Sequence, residues 1–149
     1  MKQIAVVGAS QCDEELYSIA ERVGELIAEK GWILINGGLG GVMEASARGA
    51  RKKGGVVVGI IPQSDRVYAN PYCSIVIATN MGHARNMIII HSSDAVIAVD
   101  GEFGTISEMA IALKEEKPLV AIRPPVKLKG MKIAESAEEA VEMVAGLIS

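Results

Sequence analysis

Aromatic residues are scarce in this chain: one Trp, three Tyr and one Phe in 149 residues. So few rings leave little to stack on bases, and a formal net charge of −3 offers no basic field to a phosphate backbone, so nucleic acid is not an expected partner. Cysteine is rarer still. Cys12 and Cys73 stand far apart, with no CxxC spacing and no neighbouring His, which excludes a disulfide framework and predicts two reduced, structural thiols and no metal centre. No apolar run reaches the length that crosses a bilayer. Met1 opens a short strand pattern rather than a basic, apolar signal segment, so a cytoplasmic protein without membrane partners is expected. Charged residues make up only 22%, and neither a linker composition nor an internal repeat interrupts the chain, which predicts one domain over residues 1–149.

Glycine, by contrast, is plentiful at 16 residues, and half of the chain is hydrophobic. Short apolar runs alternate with glycine turns and helical patterns. Gln3 to Val7 reads as a strand ending at Gly8-Ala9-Ser10, and Asp13 to Lys30 as an amphipathic helix stopped by Gly31. Trp32 to Ile35 is a second strand running into the glycine-rich loop Asn36 to Gly41, followed by a helix through Met43 and Ala50. Val56 to Ile61 and Ser74 to Ala78 read as further strands, separated by an aperiodic loop from Pro62 to Tyr72. A helix through Met87, Ile88 and Ile89 ends near His91. Leu119 to Ile122, a short edge piece at Met131 to Ala134, and a final helix opened by Ser136 and Glu139 complete the chain.

The stretch from Asp94 to Pro118 is the clearest of these units. Ala95 to Val99 is an apolar run too short for a helix, as expected of a strand buried on both faces. A turn from Asp100 to Gly104 follows, then Met109, Ala112 and Leu113 at helical spacing until Pro118. Thr105 with Glu108 three residues on predicts a capping box at the helix start. Strands and helices thus alternate throughout, which predicts an α/β fold: a doubly wound parallel sheet, Rossmann-like, in three layers.

In such sheets, ligands sit beyond the carboxyl ends of the strands. Four loops are expected to meet there: Gly8 to Ser10, Asn36 to Gly41, Met81 to Arg85, and Asp100 to Thr105. The first turn is not GxGxxG, the second strand ends in Asn36 rather than an acid, and no GxxxxGK[ST] occurs, so neither an ordinary nicotinamide site nor a P-loop is indicated. A helix mouth among glycines still favours an anion, phosphate above all.

Three ordered motifs, Asn36-Gly-Gly-Leu-Gly-Gly-Val-Met43, Gly82-His-Ala-Arg-Asn86 and Gly101-Glu-Phe-Gly-Thr-Ile-Ser-Glu108, resemble the Rossmann family that unites the LONELY GUY cytokinin-activating enzymes with the molybdenum cofactor carrier proteins. Against the enzymes' PGGxGTxxE pattern, Gly101, Gly104, Thr105 and Glu108 match, while Asp100 and Glu102 replace the proline and the second glycine. Arg85 matches the enzymes' arginine within GHARN, a form closer to the carrier branch. The resemblance implies a bound phosphorylated molecule, a molybdopterin or a nucleoside monophosphate, with no further cofactor required. Some members are labelled lysine decarboxylase, yet the sequence supplies no motif for a pyridoxal phosphate lysine.

Carried onto this chain, the resemblance implies that Gly8, Ser10, Gly37, Gly38, Gly40, Gly41, Gly101, Gly104 and Thr105 hold the phosphate and that Arg85 neutralises it. If the chain is instead an N-glycosidic hydrolase acting on nucleoside monophosphates, Arg85 and Glu108 are its catalytic residues. A non-catalytic assembly subunit is the third reading. Glu108 has a second interpretation as the partner of the Thr105 cap, and His83 as a surface turn residue. Met87, Ile88, Ile89, Met109 and Ile111 exceed what one helix face needs to bury, which predicts a homo-oligomer, dimer or tetramer.

Overall fold

The β-branched and alanine-rich runs form seven strands in the computed structural model, which describes residues 1–149. They are β1 (Gln3–Gly8), β2 (Ile33–Asn36), β3 (Val57–Ile61), β4 (Ile75–Ala78), β5 (Ala95–Val99), β6 (Leu119–Ile122) and β7 (Lys132–Ala134). All neighbouring pairs are parallel, in the order β4-β3-β2-β1-β5-β6-β7. Five helices connect them: α1 (Glu14–Glu29), α2 (Val42–Lys52), α3 (Arg85–His91), α4 (Phe103–Lys114) and α5 (Ala137–Ile148). The doubly wound, three-layered α/β expectation therefore holds.

Burial explains the arrangement. Every residue of β5 is completely buried, as a central parallel strand covered on both faces requires. On one face, Ala20, Val23 and Ile27 of α1, Ala45 and Ala50 of α2, and Ala140, Val141 and Val144 of α5 pack over Ile4, Val6, Leu34 and Ile97. The other face carries only two helices: Ile89 and Ile90 of α3 with Met109 and Ala112 of α4, over Ala5, Val7, Ile35, Ile60 and Val96. Small residues set the spacing of the thicker layer. Gly24 of α1 lies against the carbonyl oxygen of Ser46, and Gly49 of α2 against that of Glu21, so the two helix backbones nearly touch.

Local chemistry fixes the helix ends. The Asp13 side chain accepts from the Leu16 N–H at 2.9 Å to open α1, and Gly31 at φ 75° ends its C-terminal turn. Ser136 accepts from the Glu139 N–H at 3.1 Å at the start of α5. The expected capping box at Thr105 and Glu108 is not formed. The helix begins three residues earlier than a Thr105 cap requires, with Glu102 in extended backbone as its N-cap and without a side-chain cap bond, so Thr105 lies within the first turn. Thr105, Glu108, Met109 and Ala112 form one buried stripe. The supposed surplus of apolar residues also shrinks: Ile89 and Met109 are fully buried, whereas Met87 is 39% exposed and Ile88 and Ile111 are half-buried. The aperiodic Pro62–Tyr72 segment contains one short 3-10 turn, Arg66–Tyr68.

Candidate functional site

From β1 the chain winds outward through β2 and β3 to β4, then returns to place β5 on the other side of β1. The gap beyond the carboxyl ends of β1 and β5 is therefore the point where the winding reverses, the position at which such sheets hold ligands. A cavity of about 220 Å³ opens there. Its walls come from all four expected loops: Gly8, Ala9 and Ser10; Gly37, Leu39 and Met43; His83, Arg85 and Asn86; Glu102, Gly104, Thr105 and Glu108.

Arg85 begins α3 and is 7% exposed. Its Nε donates to the Ile60 carbonyl at 2.9 Å, and Nη1 donates to Asn86 Oδ1, so two sides of the guanidinium are anchored. Nη2 has no protein acceptor and passes beside Gly37, where an added Cβ would stand 2.6 Å from Nη2 and 2.8 Å from Met43 Sδ. Gly37 thus leaves room for the guanidinium. Burial lowers the Arg85 pKa from its ordinary value, with the Glu108 carboxylate opposing the shift; a guanidinium nonetheless stays charged at neutral pH.

Glu108 is 9% exposed, lies on the cavity wall and makes no hydrogen bond to the protein. Burial pushes its carboxyl up to about 7, an effect that the nearby Arg85 charge only partly offsets. Thr105, 4% exposed, likewise has a hydroxyl without a protein partner. Neither side chain contributes a fully enclosed unpaired atom, because the unpaired atoms open onto the cavity. At the mouth of α4, the Ile106 N–H bonds the Glu102 carbonyl at 2.9 Å. The N–H groups of Phe103, Gly104 and Thr105 precede it and have no acceptor within the helix. Nothing lies within 4 Å of a Cβ added at Gly104, so the backbone there is open to a guest.

Asn36 holds the glycine loop in shape. Fully buried, it donates from Nδ2 to the Met43 carbonyl at 2.9 Å and accepts at Oδ1 from the Gly38 N–H at 2.8 Å. Gly38, Gly40, Gly41 and Gly101 do not line the cavity. Gly38 (φ 74°) and Gly41 (φ 63°) bend the loop, and at Gly41 a side chain would strike the backbone of Ala9 and Ser10. Gly101 lies against the Thr105 side chain. Gly8, Ser10, Gly37, Arg85, Gly104, Thr105 and Glu108 are brought together on the wall, with His83 and Glu102. Asn86 is the polar lining residue to which sequence reasoning gave no role, and Val6, Val7, Ala9, Leu39 and Met43 are apolar ones; for Asn86, its position immediately after the matched arginine was the available signal.

Fold and site together define a Rossmann-like domain with a cavity lined by several polar side chains at its switch point. More particularly, the chain belongs to the SLOG cluster4 family, which it matches over residues 1–146. It is 62% identical to an uncharacterised protein of Archaeoglobus fulgidus over 95% of this chain and 93% of that one. It is 34% identical to a cytokinin riboside 5'-monophosphate phosphoribohydrolase of Mycobacterium tuberculosis, over 83% of this chain and 71% of the relative. Among solved structures, the molybdenum cofactor binding protein of Rippkaea orientalis superposes with a TM-score of 0.94 at 34% identity, covering 99% of this chain and 98% of its own. The molybdenum cofactor carrier protein of Chlamydomonas reinhardtii superposes with a TM-score of 0.89 at 30% identity, over 99% and 98% of the respective chains. The assignment suggested by the three motifs therefore holds.

Proposed function

We propose that the protein binds a phosphorylated small molecule, with its phosphate between Arg85 and the mouth of α4 and the rest of the ligand leaving through the opening. The observation that carries this reading is the unspent hydrogen-bonding capacity on one cavity: Arg85 Nη2, the Thr105 hydroxyl and the first N–H groups of α4. Arg85 and Thr105 are buried side chains whose polar groups are normally paired within the protein, and a charged oxygen ligand supplies what these lack, with the more open N–H groups of α4 beside them. Ser10 and the open Gly104 backbone add donors, while Gly8 and Gly37 keep side chains out of the way. At about 220 Å³ the cavity is smaller than the roughly 300–1,000 Å³ that encloses a drug-sized ligand. It fits a phosphate and its neighbouring atoms better than a whole pterin or nucleotide.

The near-complete superposition on the Rippkaea and Chlamydomonas proteins favours a molybdenum cofactor carrier role, in which the phosphorylated pterin with its metal is cargo. A second reading rests on Glu108. An acid held near neutrality in a phosphate cavity suits hydrolysis of an N-glycosidic bond, and the mycobacterial relative is a phosphoribohydrolase. There the ionised carboxylate would stabilise an oxocarbenium-like sugar and orient water. Both readings are consistent with a cytoplasmic homo-oligomer assembled through the partly exposed Met87, Ile88 and Ile111 of α3 and α4.

Thermal-shift screening of phosphorylated compounds tests the shared premise, because a ligand bound only by the folded chain raises the melting temperature. A shift by AMP or a molybdopterin that is abolished in Arg85→Ala is expected. Release of free base from AMP, lost in Glu108→Ala, selects the hydrolase; tight pterin binding without turnover selects the carrier. No shift with any phosphorylated compound would sink both.

A further inference from the structure

Asn86 is 4% exposed, sits second in α3 and lines the cavity. Its Oδ1 accepts from Arg85 Nη1. That assignment is forced by chemistry, because a guanidinium has only donors and must face the oxygen of the amide. The Nδ2 group is consequently turned away from Arg85, and it has no acceptor in the protein. It is not among the fully enclosed unpaired atoms, so it opens onto the cavity that the residue lines. A buried amide donor without an acceptor loses hydration for nothing unless a ligand supplies the missing oxygen.

We infer that Asn86 is a ligand-binding residue that donates from Nδ2 to a phosphate oxygen, forming with Arg85 Nη2 a two-residue clamp on a single phosphate. The inference rests on the phosphorylated-ligand reading above and deepens it. Two consecutive residues at one helix start present donors to the same space, while Thr105 and Gly104 present theirs from α4. The clamp reads the phosphate itself. The rest of the ligand, whether sugar, base or pterin, is left to other walls.

The experiment is a binding titration of inorganic phosphate, ribose 5-phosphate and AMP against wild type, Asn86→Asp and Asn86→Ser. Asn86→Asp keeps an acceptor for Arg85 and therefore the anchoring, but replaces the donor by a charged acceptor. The expected result is an unchanged fold by circular dichroism and a loss of at least about ten-fold for all three probes, the lower end for a hydrogen bond to a charged group. Asn86→Ser, which cannot hold both contacts, is expected to weaken all three probes by a similar common factor. It also serves as the test should Asn86→Asp fail to fold. Affinities equal to wild type would overturn the inference, as would a loss confined to AMP, which would place Asn86 against the organic part. Wild-type protein that binds none of the probes would overturn the phosphate reading and this inference with it.

Discussion

Glu108→Gln isolates the energetic consequence of burying a carboxyl beside a cavity. The group titrates at about 7 in the folded chain and at 4.5 when unperturbed. Between these values the folded state holds a proton that the unfolded state has released, so stability falls as pH rises from about 4.5 to about 7 and then levels. At 1.36 kcal/mol per unit, the full effect is about 3 kcal/mol, to be read as an order of magnitude for a site partly open to water. For a chain of this size that corresponds to roughly 6–12 °C in melting temperature. Glutamine keeps the shape and cannot ionise, so the variant is expected to gain on wild type by about that amount between pH 4.5 and pH 8. Denaturant or thermal unfolding of both proteins at half-unit pH steps measures it directly. Parallel pH profiles, with the variant offset by a constant, would refute the reasoning and place the Glu108 carboxyl in contact with solvent or an unrecognised donor.

Three further substitutions test other parts of the structure. Gly24→Ala sets a methyl group against the Ser46 carbonyl where α1 crosses α2, and should destabilise by at least about 2 kcal/mol in denaturant unfolding, since neither backbone can give way. Gly37→Ala displaces the far ends of Arg85 and Met43 instead; the melting temperature should fall little, while phosphate affinity falls at least about ten-fold, or one hydrogen bond to a charged group. Glu102→Gln removes an exposed carboxylate from the cavity rim, and calorimetry should show AMP binding strengthened by a few-fold at low salt, with the gain vanishing as salt is raised.

The sheet was legible because its signal is local. A run such as Ala95 to Val99 can be buried on both faces only as a central strand, and Asp13, Gly31 and Ser136 mark helix ends through their own side-chain or backbone chemistry. The start of α4 was misread because Thr-x-x-Glu matches a capping box at any point in a chain. The competing signal was the recurrence of Thr105, Glu108, Met109 and Ala112 on one face, which requires Thr105 to lie within the helix rather than to cap it. Among the glycines, spacing could not separate those that line the cavity from those that shape the loop. Gly41 is required by the backbone of Ala9 and Ser10, and Gly104 by nothing in the protein at all. Asn86 escaped notice because the orientation of an amide depends on a neighbour's guanidinium, which only the folded chain brings into place.

The cavity wall that carries Arg85 and Asn86 is a helix of only seven residues. A peptide of that length does not hold a helix in water, so α3 exists because Ile89 and Ile90 are locked beneath it in the thinner layer of the sheet. Its amide protons can therefore exchange through a local opening well below the energy of global unfolding, and a guest held by its first two residues must close that opening. Hydrogen exchange along α3 thus becomes a gauge of occupancy, reporting whether the cavity is filled without reference to what fills it.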